Sequence, residues 1–127
     1  MDLSLNTRFV TIAAEDREGH VRFTFAGRYN YPDFCAIIRG LREECARRGM
    51  ERAVIDIRQV EGDIPGHERY DLGLQFAEVW GSRLRAAILS PADRINKLFE
   101  NTAVNRYADV MVGHDEAILL RWLTAAE

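Results

Sequence analysis

The order of the apolar patterns is the feature that most limits what this chain can fold into. Two runs with apolar residues at every second position, Phe9–Ala13 (FVTIA) and His20–Ala26 (HVRFTFA), are separated only by the acidic, glycine-containing EDREG. Adjacent period-two runs joined by a turn signal predict an antiparallel β-hairpin. After Gly27 the pattern changes to helix-like and strand-like runs in strict alternation, and strands joined through helices pair in parallel. The expected product is an α/β fold in the order ββαβαβαβα. It has a mixed five-stranded sheet, an N-terminal β-hairpin followed by βα units, and about four helices.

Local signals place the elements. Asn30, Pro32 and Asp33 supply a helix cap, an early-helix proline and a first-turn acid, so the first helix is expected to start near Pro32. Phe34, Ile37, Ile38, Leu41 and Cys45 give it one apolar stripe, and Gly49 ends it. Arg52–Ile57 (RAVIDI), rich in β-branched residues, reads as a buried central strand. Arg58–Gly66 reads as a loop, and the second helix is expected from about Pro65 to Trp80. Leu84–Leu89 is the next strand, after which Ser90, Pro91 and Asp93 form a capping pattern with proline at the first helical position. That pattern predicts a third helix running on through Ile95, Leu98, Phe99 and Thr102. Asp109–Val112 makes a short last strand, and Asp115 with Glu116 opens a C-terminal helix carrying Ile118, Leu119, Trp122 and Leu123.

Composition removes several classes of function. With 127 residues, 47% of them hydrophobic, the chain is expected to form a single domain over residues 1–127 with one core. Seventeen basic residues against twenty acidic ones leave a net charge of −3, the opposite of a nucleic-acid-binding footprint. No apolar run approaches the ~18 residues of a membrane span, and the opening MDLSLNTRF lacks a charged segment followed by an apolar one. Cys35 and Cys45, on one predicted helix, would sit about 80° apart around its axis and roughly 15 Å along it, too far to bridge. A reduced, cytoplasmic location is expected.

A length near 127 and alternating strands bring response-regulator receivers to mind, but a receiver has a helix between its first two strands where this chain has a hairpin. The order instead resembles the STAS fold of SpoIIAA-like anti-sigma-factor antagonists. RAVIDIRQVEG followed by a helix, and the ending DVMVGHDEAILLRWL, carry the resemblance over about Arg52 to Leu123. It implies a non-enzymatic regulatory module that binds a protein partner through its first two helices; no cofactor or metal is expected from the motifs, since no GxGxxG or GxxxxGK(S/T) phosphate cradle occurs. In phosphorylated antagonists the loop before the second long helix carries Asp-Ser-Ser-Gly, and one serine accepts a phosphoryl group from a partner kinase. Here the same place reads Asp63-Ile64-Pro65-Gly66. Both serines are replaced by residues without a hydroxyl, so the acceptor of the usual switch is missing.

Three groups of residues are candidates for a site. Asp56 and Arg58 stand at the carboxyl end of the presumed central strand, the edge where ligands of open α/β sheets bind. Satisfaction of Asp56 by its own loop is the alternative. Asp63, His67 and Asp71 recur every four residues, a spacing compatible with a metal and equally with a solvated helix face. The second helix is apolar around more than half its circumference: Tyr70, Leu74 and Ala77 form a stripe toward a sheet, and Leu72, Phe76, Val79 and Trp80 occupy another sector. That second sector is either covered by neighbouring elements or exposed. If exposed, it serves a protein partner, self-association, an apolar small molecule or lipid, or loose membrane contact. The candidate surface is thus Asp56, Arg58, Asp63, Gly66, Leu72, Phe76, Val79 and Trp80.

Overall fold

A computed structural model describes residues 5–125; residues 1–4, part of the opening stretch read above for a leader, and residues 126–127 lie outside it. The sheet has five strands in the order β1-β2-β3-β4-β5. Strand β1 (Val10–Arg17) pairs antiparallel with β2 (His20–Arg28), and β3 (Arg52–Glu61), β4 (Arg85–Leu89) and β5 (Asp109–Gly113) follow in parallel. The helices are α1 (Tyr31–Arg48), α2 (Gly66–Trp80), α3 (Leu98–Val104) and α4 (Glu116–Thr124). This is the mixed α/β sheet the patterns predict.

Each crossover advances by one strand in the same direction, so crossovers of one hand stack α1, α2 and α3 on one face. Phe23, Ile55, Ile88 and Val110 project from that face into the main core with Ile37, Leu41 and Phe76. The opposite pleat of the central strands, Val54, Ala87 and Leu89, is covered by Leu119 and Leu123 of α4. Covering on both faces explains why RAVIDI and RAAIL are nearly continuous apolar runs. Local caps work as expected: the Asn30 side chain accepts from the Asp33 N–H at 3.1 Å, Gly49 ends α1 in the left-handed conformation, and Asp115 accepts from the Ile118 N–H at 3.2 Å.

Three boundaries differ from the sequence expectation. Strand β1 continues through Glu15, Asp16 and Arg17, whose backbones pair with Arg22, Val21 and His20, to a two-residue turn at Glu18-Gly19 in which Gly19 takes a positive φ. Strand β3 runs on to Glu61: a register shift between Thr24 and Ala26 lets Gln59, Val60 and Glu61 pair with Ala26, Gly27 and Arg28. The third helix does not start at Pro91. Only a 3₁₀ turn forms at Ala92–Arg94, Ile95 returns to extended backbone, Lys97 is left-handed, and α3 begins at Leu98 with its N–H held by the Asn96 side chain at 3.1 Å. The Ser90 hydroxyl faces the Pro91 carbonyl rather than capping a helix. Tertiary contacts override the local signal. Arg94 is drawn to the backbone carbonyls of Val60 and Gly62, and α3 is pressed against α2 so closely that a Cβ at Gly73 would lie 2.8 Å from the Thr102 Cβ.

Candidate functional site

The segment between β3 and α2 is the point at which the loop chemistry of the sequence becomes geometry. Gly62 turns the chain, Asp63 and Gly66 are exposed, and Ile64 points inward. Two guanidinium groups hold this loop. Arg69 of α2 donates from Nε to the Ile64 carbonyl at 2.8 Å and from Nη1 to the Asn96 side chain at 3.3 Å. Arg94 donates to the carbonyls of Val60 and Gly62. All four acceptors are neutral, and neither arginine pairs with a carboxylate among the described residues.

Beneath the loop, between the sheet and the layer of α1, α2 and α3, is a cavity of about 100 Å³. Phe25, Phe34, Ile55, Leu72, Phe76 and Ile88 form its apolar wall. Arg69, Arg94, Asn96 and Lys97 stand at its mouth, on the carboxyl edge of the parallel strands. Lys97 is neutralised by Glu100 at 3.3 Å and also donates to the Val112 carbonyl at 2.9 Å. The arrangement is apolar within and cationic at the entrance, the composition of a small-molecule pocket.

Asp56 and Arg58 do not line this space. They lie at the opposite face in a closed ion cluster: the buried Asp56 carboxylate accepts from Arg22 at 2.6 Å and from Arg58 Nη2 at 2.8 Å, Nε at 3.0 Å and backbone N–H at 3.0 Å. Glu116, at the start of α4, accepts from Arg22 at 2.9 Å and lies 3.6 Å from Arg58. Burial alone would raise the Asp56 pKa, but the hydrogen bonds from Arg58 and the charges of Arg58 and Arg22 outweigh it and hold the carboxyl below its ordinary range. Satisfaction of Asp56 by its neighbours, not an open site, is what the fold delivers.

The apolar sector of α2 is core. Leu72, Phe76 and Trp80 are 2–3% exposed, Val79 is half-buried, and Tyr70, placed by the pattern toward a sheet, is 45% exposed. Trp80 donates its indole N–H to the Ile38 carbonyl at 3.0 Å and stacks on Phe76 at 4.8 Å between ring centroids, while Phe99 meets Phe76 edge-on. Helix α2 is the middle of three helices on the sheet, with α1, α3 and the strands around it, and this requires an apolar surface wider than half a turn. The exposed patch considered from the sequence therefore does not form. Asp63, His67 and Asp71 do not converge either: His67 is exposed beside Glu68, and Asp71 is bound by the Tyr31 hydroxyl and by Gln75 at 2.7 Å. Arg69, Arg94 and Lys97 escaped the sequence reading because arginine is common throughout this chain and because their convergence brings α2 to the β4–α3 connection, 25 residues further on.

Among solved structures, an anti-sigma factor antagonist from Mycobacterium paratuberculosis superposes with a TM-score of 0.62 at 12% identity, covering 91% of this chain and 95% of its own. An uncharacterized protein of the DUF3478 family with a SpoIIAA-like fold, from Shewanella loihica PV-4, does so with a TM-score of 0.51 at 23% identity, over 96% of this chain and 99% of that one. The fold is thus the SpoIIAA-like STAS fold that the sequence resembles. No family model and no curated protein matches the sequence.

Proposed function

We propose that this chain is a non-enzymatic, cytoplasmic STAS-type module that binds a protein partner through the β3–α2 loop and the exposed start of α2, without a phosphorylation switch. The observation that carries the reading is Ile64-Pro65 in the loop where phosphorylated antagonists present their serines. Asp63, Pro65, Gly66 and His67 are exposed there, and the clamps of Arg69 and Arg94 give the loop one fixed shape. Without a hydroxyl, the loop keeps the charge of Asp63 and gains none of the ~1.5 to 2 negative charges of a phosphate. Ser90 and Thr102, the hydroxyls nearest the third helix, are buried at 4% and 6% exposure. The M. paratuberculosis neighbour, described as an anti-sigma factor antagonist, supports an anti-sigma factor as the class of partner.

The test is calorimetric titration with an anti-sigma factor kinase, with and without ATP, followed by peptide mapping of any label from labelled ATP. The expected result is a complex of the same affinity in both conditions, weakened by Asp63→Arg, with no label on residues 63–66, Ser90 or Thr102. Stoichiometric label or release of the complex by ATP overturns the unswitched reading, and the absence of a complex overturns the partner.

A second reading, carriage of an apolar small molecule, is supported by the cavity under the same loop. At about 100 Å³ it is smaller than the roughly 150 Å³ engineered cavity known to hold benzene. Its occupant therefore inserts one short branched aliphatic group, not an aromatic ring or a long acyl chain. Membrane association loses the exposed Phe76 and Trp80 on which it rested, and no helix among the described residues is long and apolar enough to cross a membrane.

A further inference from the structure

We infer that the cavity under the β3–α2 loop takes a small amphiphilic carboxylate, its apolar group among Phe25, Leu72 and Phe76 and its carboxylate between Arg69 and Arg94. This inference rests on the second reading above and specifies the chemistry of that site. The wall selects the apolar part, since it offers aromatic and branched aliphatic surface in a space the size of one short group. The mouth selects the charge. Arg69 and Arg94 each carry five donors and direct only Nε and Nη1, or Nη1 alone, at neutral backbone and amide oxygens, so both retain charge and donors for a planar oxyanion. Ser90, 4% exposed and also lining the cavity, spends its hydroxyl on the adjacent Pro91 carbonyl at 3.4 Å. That is long for an O–H···O bond, and a closer acceptor would take it.

The charge offered at the mouth is that of the two arginines, because Lys97 is matched by Glu100 on the same rim. A neutral apolar molecule would fill the wall and leave two guanidiniums unmatched, while an inorganic anion would satisfy the mouth and leave the cavity empty. The combination of both halves defines the ligand class.

The experiment compares 3-methylbutanoate with its neutral analogue 3-methylbutanamide on the unaltered protein, by calorimetry and by ¹H–¹⁵N NMR. The carboxylate is expected to bind with shifts at Ile64, Leu72 and Phe76, and about tenfold or more tighter than the amide, as charge-assisted bidentate pairing predicts. Arg69→Gln with Arg94→Gln should bring the two affinities together, and the single Arg94→Lys should recover part of the preference for the acid. Equal affinities in the unaltered protein would overturn the anion requirement and leave apolar carriage standing. Binding of neither probe at millimolar concentration would overturn both.

Discussion

Arg69 reaches back from the first turn of α2 to the carbonyl oxygen of Ile64, 2.8 Å from its Nε, and so fastens the helix to the loop that leads into it. The same side chain bonds Asn96, which itself holds the N–H of Leu98 at the start of α3. One guanidinium therefore links the β3–α2 loop, α2 and the approach to α3.

Removing that link should loosen the loop more than the fold. Arg69→Ala is expected to cost about 1 to 2 kcal/mol, since it deletes two charge-assisted hydrogen bonds, the one to Asn96 long and exposed. Exchange of the Glu68 and Arg69 amides, which bond the Pro65 carbonyl at 3.0 and 2.9 Å, should accelerate while the amides of β3 and β4 keep their protection. Uniformly faster exchange would mean that Arg69 supports the core and not the loop.

Trp80 and Phe76 should behave as core residues. Trp80→Ala removes a buried ring, its stacking on Phe76 and its hydrogen bond to Ile38, at an expected cost of about 3 to 5 kcal/mol in urea unfolding. Sedimentation of the folded fraction should be unchanged. A variant of normal stability with altered self-association would restore α2 as an interaction surface.

The ion cluster of Arg22, Asp56, Arg58 and Glu116 predicts a pH dependence. Because the Asp56 carboxyl titrates below its ordinary value in the folded chain, its stabilisation is complete above the unfolded value of about 3.9 and is lost as the pH falls through the lower folded value. Glu44 acts in the same direction: hydrogen bonds from Arg47 and Arg48 hold this buried carboxyl low against the effect of burial. Asp56→Asn should destabilise the protein at pH 7 by about 3 kcal/mol, as breaking one side of a buried pair does. It should also flatten the loss of stability between pH 5 and pH 2. Denaturant midpoints across that range check both statements.

The two thiols should separate cleanly. Cys45 is buried, and burial with the nearby Glu44 charge pushes its pKa up to about 12, whereas Cys35 is half-buried beside the Gln75 side chain at 3.2 Å. Native protein at pH 8 is expected to release one equivalent of thiolate-derived colour from Ellman's reagent, from Cys35, and a second only after unfolding. Cys35→Ser should abolish the native signal.

What the amino-acid sequence determined by itself were features set within a few residues of one another. Alternation in HVRFTFA makes a strand, Asn30 and Asp115 cap their own helices, and strand-helix alternation after a hairpin leaves little choice but a mixed sheet. The missing hydroxyl at Ile64-Pro65 is likewise legible without a structure. Tertiary structure decided whatever depended on neighbours distant along the chain. Helix α2 has two apolar sectors, and only its place between α1 and α3 makes Leu72, Phe76 and Trp80 core while Tyr70 stays exposed. Ser90, Pro91 and Asp93 spell a helix start, yet packing against α2 and the pull of the Val60 carbonyl on Arg94 delay α3 to Leu98. Asp56 finds Arg22, 34 residues away, and the cavity mouth brings Arg69 of α2 to Arg94 and Lys97 of the β4–α3 connection. Local backbone preferences and caps act over one turn, whereas burial and charge pairing are settled only once the layers have closed.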